Sequence, residues 1–468
     1  MALWLFVEEC TVSDAMPYLR NSHLTAFGRR LRTFFGRVLA QFRLPLVRNG
    51  YALMVSTFGS AAVGLLYWAL AARLYPAEQV GIASATVSAM MLVSGVAQLG
   101  LNSFLVRFVP AASSSRTRLI LSCYSAAVLA SLAFCVVFYE ELPYWAPHLS
   151  QYVRGSAEWA FFVLAVVGWT LFALQDSVLT GLRLTVWVPI ENLVFSVLKL
   201  LLLYVLALSA PEFGILLAWL FSFLILIPPI NLLIAWNLTK GSVTRSNPSN
   251  QLPRRKGLLV FWAGNYLGAL AGLIASALIP VLVLNAVGPR SVAYFYGPWM
   301  VYSGLQMVAG NMAISLTTEV AADPTRFDTQ LRKAIKHTLL LLLPAAGIVL
   351  VMSPWILALY GHEYVTFGTS LLRWLAVAAV PNGLVALALG VARLQNRGLV
   401  VGIIMVTTSG FGVALGLVLL PYMGIAGMGL SWACVQTIFA VVLLIFVIRP
   451  EMNRPHAIVM PDPKGQAS

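Results

Sequence analysis

The sequence predicts an all-α polytopic membrane protein: about twelve transmembrane helices in two six-helix, pseudo-symmetric bundles around a central cavity. Three observations predict it. Of the 468 residues, 60% are hydrophobic and only 10% charged, with a mean hydropathy of +0.86; soluble globules are not built from such a composition. Apolar runs long enough to cross a bilayer recur along the whole chain. A short basic loop, residues 237–257, divides those runs evenly. It carries Lys240, Arg245, Arg254, Arg255 and Lys256, no acid, and many Ser, Asn and Pro residues, so it reads as an exposed connector.

The elements follow in order. Residues 1–48 form a cytoplasmic segment. Glu8 and Glu9 interrupt its first apolar stretch, which therefore does not read as a signal peptide. Over 24–48, Phe27, Leu31, Phe34, Phe35, Val38, Leu39 and Phe42 make a helical stripe flanked by Arg29, Arg30, Arg32, Arg37 and Arg43. That is a basic amphipathic helix suited to an anionic leaflet, or a plain positive-inside flank. The N-terminal bundle, 49–236, holds spans at 51–72, 82–106, 119–138, 159–181, 186–208 and 213–236. After the connector, the C-terminal bundle, 258–448, holds spans at 258–284, 291–318, 338–359, 370–392, 399–420 and 425–448. Residues 449–468 are a cytoplasmic tail.

Charge orients the spans. With both termini in the cytoplasm, twenty-five of the thirty Lys and Arg residues fall on inner segments. Only Arg73, Arg154, Arg290 and Arg373 fall outside, and Lys199 lies within a span. Such an asymmetry over short loops predicts an inner-membrane protein with both termini inside. It also accounts for the net charge of +14 without nucleic acid. The halves carry traces of a repeat. Arg183-Leu184 and Arg393-Leu394, Gly214-Ile215 and Gly424-Ile425, and Gly100 and Gly310 share one offset of 210 residues. Six spans per half give both halves the same orientation, hence a parallel repeat about an axis near the membrane normal.

Few residues carry chemistry. The four cysteines, Cys10, Cys123, Cys135 and Cys434, show no disulfide framework or metal-ligand spacing. No Walker motif or other nucleotide signal occurs, so neither cofactor nor metal is expected. No extramembrane segment is large enough for a soluble enzyme domain. Asp176, Glu191 and Lys199 lie well inside predicted spans, where a charge is expensive and functional by default. Glu191 and Lys199, two turns apart, share one side of a helix, and a short hairpin brings Asp176 toward Lys199. Two readings stand: a structural ion pair, or a cavity site for substrate or a coupling proton. Arg73, Arg107, Arg290 and Arg373 sit near span ends, where they either snorkel or form a rim for a diphosphate. Tyr266, Tyr294, Tyr296, Trp299, Tyr302 and Asn311 cluster in spans seven and eight, as an interfacial belt or as a surface on which sugars stack. Pro228, Pro229, Pro280, Pro298, Pro344 and Pro381 are expected to interrupt helices.

The run from Ala72 to Ala112 resembles the first two spans of polysaccharide-export flippases of the multidrug/oligosaccharidyl-lipid/polysaccharide superfamily. Ala72 and Arg73 match the end of the first span. Pro76, Glu78 (one residue early) and Gly81 match the turn that follows. Leu99, Gly100, Arg107, Phe108 and Pro110 match the close of the second span. Gly361, Glu363 and Tyr364 resemble the turn before the family's tenth span, and Gly424, Ile425 and Gly427 its entry to the last. The likeness covers roughly residues 48–448. The fourteen-span lipid II flippases fit less well, because two terminal spans have no counterpart.

The resemblance implies translocation of a lipid-linked oligosaccharide or polysaccharide precursor, of the polyprenyl-diphosphate type, by alternating access. Its implied partners are the glycan substrate, membrane lipids, and a glycan polymerase or glycosyltransferase. Moving a glycan through hydrocarbon desolvates many hydroxyls, and a diphosphate calls for Arg or Lys, Arg offering the bidentate geometry. The expected substrate-binding residues are Arg73, Arg290, Arg107, Asn311 and Tyr302. The competing function is cation-coupled multidrug antiport. Drug antiporters of the superfamily carry buried acids in the first span or in spans seven and eight, but residues 51–72 and 258–318 contain no Asp or Glu.

Overall fold

In hydrocarbon every backbone N–H and C=O must be paired internally, so each apolar run has to become a helix. The computed structural model describes residues 62–110, 115–209, 213–239, 277–322, 327–395 and 398–452, with Gly59, Ala112, Leu270 and Leu273. The amphipathic stretch 24–48, the connector beyond Thr239, Tyr266 and the tail beyond Met452 lie outside the described residues. The first half comprises α1 (Ala62–Leu74), α2 (Ala77–Ala97), α3 (Leu101–Phe108), α4 (Arg116–Trp145), α5 (Pro147–Val153), α6 (Ser156–Gly181), α7 (Trp187–Ser209) and α8 (Gly214–Thr239). The second comprises α9 (Ala277–Val287), α10 (Pro289–Ala322), α11 (Phe327–Ala358), α12 (His362–Leu394), α13 (Gly398–Met423) and α14 (Ile425–Leu443). A π-helical turn, Leu444–Ile448, extends α14 into the four-residue α15, Arg449–Met452.

Nine of the described helices are long and apolar enough to cross a membrane, and α1 and α9 are shorter apolar helices in the first and seventh predicted spans. The chain is thus a multi-pass, all-α membrane protein. Burial sorts the helices. Of the most apolar window of each, 67% is buried for α2 and 61% for α12, but only 17% for α11. The first two are therefore central, whereas α11 presents most of its surface to lipid.

Two local expectations are corrected. The second predicted span is not one helix. Leu99 and Gly100 both adopt positive φ, 50° and 68°, which ends α2 and lets α3 start on a new axis. Gly carries no Cβ penalty in that region, while Leu99 bears a cost of about 1 kcal/mol. Nor do five of the six expected prolines interrupt. Pro228 and Pro229 lie inside α8, Pro298 inside α10, Pro344 inside α11 and Pro381 inside α12. In a bundle, neighbouring groups and local adjustment absorb the missing hydrogen bond.

The halves meet along α2 and α10. A Cβ on Gly81 would stand 1.8 Å from the Pro289 carbonyl oxygen, so only glycine permits this approach. Trp68 of α1 packs edge-on against Tyr296 of α10, ring centroids 4.6 Å apart. The apolar core follows the same division. One cluster joins both halves, from Tyr67, Val80 and Leu220 to Tyr294, Leu372 and Trp432. At the ends that face the basic segments the described core separates. Leu105, Ile120, Leu174 and Ile234 form a cluster confined to the first half. Leu316, Leu331, Val391 and Ile448 form another confined to the second.

Candidate functional site

At the ends opposite the basic loops, polar side chains tie the two halves together. Arg73, at the C-terminus of α1, reaches across to the last carbonyls of α11. Its Nε donates to the Leu359 oxygen at 2.9 Å and its Nη2 to that of Ala358 at 2.6 Å. A helix C-terminus leaves its carbonyls unpaired and carries partial negative charge, so an arginine there satisfies both. Tyr360 donates to the Leu65 oxygen at 3.4 Å. Asn285 makes a second tie, its Nδ2 donating to the Trp145 oxygen at 2.9 Å and its Oδ1 accepting from the His148 amide at 3.2 Å.

Arg290 arrives at the same turn from within the second half. Its Nη2 pairs with Glu363 at 2.9 Å and its Nε donates to the Tyr294 hydroxyl at 3.1 Å; Tyr294 in turn donates to the Glu363 carboxylate. Arg73 and Arg290, expected at comparable positions, are thus gathered on one turn, residues 358–363, by different partners. The pair Arg290–Glu363 is exposed, with side chains 67% and 52% accessible, so it orders the turn more than it stabilises the fold.

The remaining expected residues are dispersed. Tyr302 is fully buried in the shared core, and its hydroxyl accepts from Trp432 Nε1 at 2.8 Å, which fastens α10 to α14. Asn311 is half-buried farther along α10. Arg107 is exposed in the last turn of α3, its guanidinium carbon 5.6 Å from the Phe108 ring centre. At the level of Ser94 of α2, hydroxyls bridge three helices. Thr170 of α6 donates to Ser94 at 2.9 Å and accepts from Ser131 of α4 at 3.1 Å. Farther toward the divided end, Asn102 donates to Gln98 at 2.6 Å.

The intramembrane charges do not pair as expected. Asp176 accepts both weak contacts of the Asn192 amide, at 3.1 and 3.3 Å. Lys199 lies two turns beyond Asn192 on α7, and the antiparallel course of α6 and α7 sets Trp169, not Asp176, at its level. Its ammonium occupies an aromatic cage instead, 4.1 Å from the Trp219 ring centre, 4.6 Å from that of Tyr67 and 4.8 Å from that of Phe195. Ring faces attract a cation by about 0.5–2 kcal/mol each, a substitute for a counter-ion. Glu191 is 1% exposed, and both its carboxylate oxygens are buried without a hydrogen-bond partner among the described residues, as is the Tyr124 hydroxyl. Glu191 and Asp176 are close enough to interact electrostatically.

Sequence reasoning missed Asn285, Asn192 and the cage. Asn192 was adjacent to a singled-out acid. The carbonyls that hold Arg73 belong to backbone, for which residue type gives no sign.

The fold of the described residues, with α2 packed along α10, is similar to that of solved membrane transporters. Among solved structures, the inward-facing conformation of a multidrug resistance MATE family transporter of the MOP superfamily matches with a TM-score of 0.63 and 16% identity, over 84% of this chain and 94% of that one. The lipid II flippase MurJ, in an inward closed conformation, matches with a TM-score of 0.62 and 16% identity, over 84% and 87%. The MATE multidrug transporter DinF-BH matches with 0.60 and 14%, over 87% and 96%. At these identities the likeness is one of fold. No protein-family model and no curated protein matches the sequence.

Proposed function

We propose that this protein translocates a polyprenyl-diphosphate-linked oligosaccharide from the cytoplasmic to the outer leaflet by alternating access between its halves. The observation that carries the reading is the division of the core: one cluster shared by both halves toward the outer ends, two separate clusters toward the inner ends. That is the arrangement of a carrier closed outside and ready to part inside. The inward conformations of two of the matched structures are in keeping with it. The glycan enters between the inner ends while the lipid tail stays in the bilayer. When the outer ends separate, Arg73 leaves the α11 carbonyls and Arg290 is the cation beside it. Both then offer guanidinium forks to the diphosphate.

Neutralising each to Gln is expected to impair export of the glycan while leaving membrane insertion intact, because inner-loop charge fixes topology. Lys replacements rescue in part. Normal export from the double Gln variant at wild-type protein levels removes both residues from the site. Accumulation of a lipid-linked glycan intermediate on deletion of the gene tests the reading as a whole.

Cation-coupled multidrug antiport is the second reading, favoured by the unpartnered Glu191 beside Asp176. Against it stands the absence of acids from residues 51–72 and 258–318. Resistance to cationic drugs that is lost on deletion, with no glycan intermediate, selects it.

A further inference from the structure

The turn at residues 358–363 holds two guanidinium groups in different ways. Arg73 belongs to the first half and reaches the Ala358 and Leu359 carbonyls of the second. Arg290 and Glu363 both belong to the second half, on α10 and α12. Parting of the halves therefore breaks the Arg73 contacts and leaves the Arg290 pair intact. Before the Arg290 fork can take a diphosphate, it has to give up Glu363.

The pair is ordered and still free to exchange. Gly361, with φ of 134°, turns the chain between α11 and α12 through a region that favours glycine. It sets Glu363 in the first turn of α12, where the helix dipole favours negative charge. Tyr294 is 4% exposed. Its ring stacks on Phe367, centroids 5.0 Å apart, and meets Tyr364 edge-on at 5.1 Å, so its hydroxyl is fixed. That hydroxyl accepts from Arg290 Nε at 3.1 Å and donates to the Glu363 carboxylate, which keeps the two ends in register. Yet both charged side chains are more than half accessible. An incoming anion can reach the guanidinium, and water screens the pair enough for one oxyanion to replace another. An arginine fork takes carboxylate and phosphate alike.

We propose that Glu363 is an internal stand-in for the substrate's diphosphate: it occupies the Arg290 fork at rest, yields it when the diphosphate arrives, and expels the diphosphate by reclaiming the fork. This role rests on the reading of Arg73 and Arg290 as the outer diphosphate site, and it adds the step that empties that site. An exporter has to release what it binds, and a carboxylate left beside a bound diphosphate opposes it by like-charge repulsion. Glu78 stands at the matching place in the first half's turn, Leu74-Tyr75-Pro76-Ala77-Glu78 against Leu359-Tyr360-Gly361-His362-Glu363. It makes no ion pair among the described residues, so the exchange belongs to Glu363.

Inorganic pyrophosphate, titrated onto the detergent-purified full chain and followed by calorimetry, tests this. Glu363→Gln keeps the side chain's size and removes its charge. It should bind pyrophosphate roughly three- to tenfold more tightly than wild type, as expected when an exposed ion pair and one like charge are removed. Arg290→Gln in the Glu363→Gln background should cancel the gain. Glu78→Gln, which removes the same charge from the matching turn, should bind as wild type does. Unchanged affinity in Glu363→Gln overturns the proposal. So does an equal gain in Glu78→Gln, which makes the effect one of net charge. In either case, glycan export that still depends on Arg73 and Arg290 leaves the arginine site standing without Glu363. Wild type that binds pyrophosphate no better than the Arg73→Gln, Arg290→Gln double variant overturns the arginine site and the proposal with it.

Discussion

Replacing Arg73 by Gln should loosen the ends opposite the basic loops, the outer ends of the proposed carrier. The wild-type guanidinium donates to two carbonyls of the other half, at 2.9 and 2.6 Å. A hydrogen bond from a charged group contributes about 1.5–3 kcal/mol when shielded, but Arg73 is exposed, which places each bond well below that range. The charge at a helix C-terminus adds about 0.3–1 kcal/mol. The tie as a whole then contributes about 1–2 kcal/mol to the closed arrangement, a factor of roughly 5–30 in its population. If outer-closed molecules outnumber outer-open ones by about 100 to 1 in wild type, Arg73→Gln lowers the ratio to about 10 to 1. Spin labels at Tyr144→Cys and Tyr422→Cys, positions 84% and 83% exposed at the outer ends of α4 and α13, report the separation of the halves once the native cysteines are replaced. A second, longer distance should emerge in Arg73→Gln and, more weakly, in Arg73→Lys, which keeps the charge but not the fork. Superimposable distance distributions in all three proteins would refute the latch.

Other outcomes follow from single contacts. Gly81→Val drives a side chain into the Pro289 carbonyl, where a Cβ alone would stand 1.8 Å away; the same spin labels should report open outer ends and glycan export should fall, and a closed, active Gly81→Val protein contradicts the close packing of α2 on α10. Glu191→Gln keeps the size of a buried, unpartnered side chain but cannot take up or release a proton, so the protein should fold with its melting temperature preserved, while a drop in transport in the same protein marks Glu191 as the coupling group and unchanged transport removes it. Lys199→Met keeps the volume in the cage and should fold with its stability preserved, whereas Lys199→Glu sets a carboxylate against three negative ring faces and should not yield folded protein; a stable Lys199→Glu variant contradicts the cage. In intact cells an impermeant thiol reagent should label a cysteine at Ser150 and not one at Ser246, and the reverse pattern inverts the topology.

Much of the helical plan was legible because hydropathy and length together fix a span in hydrocarbon. The run expected at 159–181 is helix Ser156–Gly181, and the run at 425–448 is helix Ile425–Leu443 with its π turn to Ile448. The break at Leu99 and Gly100 was hidden, since both residues are compatible with an apolar run and only their φ values set them apart. The candidate site was legible as a set of residue types rather than as partners. Arg73 and Arg290 were singled out for their position, but Arg73 binds backbone carbonyls, which leave no mark in a sequence. Asp176 and Lys199 looked like partners because both are charged. Their separation is a matter of helix register, set where Asn192 meets Asp176. The orphaned state of Glu191 depends on what surrounds it in three dimensions, and no local pattern encodes it.

The shared core also bears on how the chain is made. The face of α2 that carries Gly81 and Ser88 is completed by α10, and about 190 residues separate the end of one from the start of the other. At a synthesis rate of about 5–20 residues per second, roughly 10–40 s pass between their emergence from the ribosome. During that interval the first half resides in the bilayer with its largest packing surface unmatched. Expressed alone, the first half would keep that surface permanently and offer it to any small-residue helix nearby. Late truncations that spare α10 should therefore be far less harmful to assembly than a stop codon in the connector.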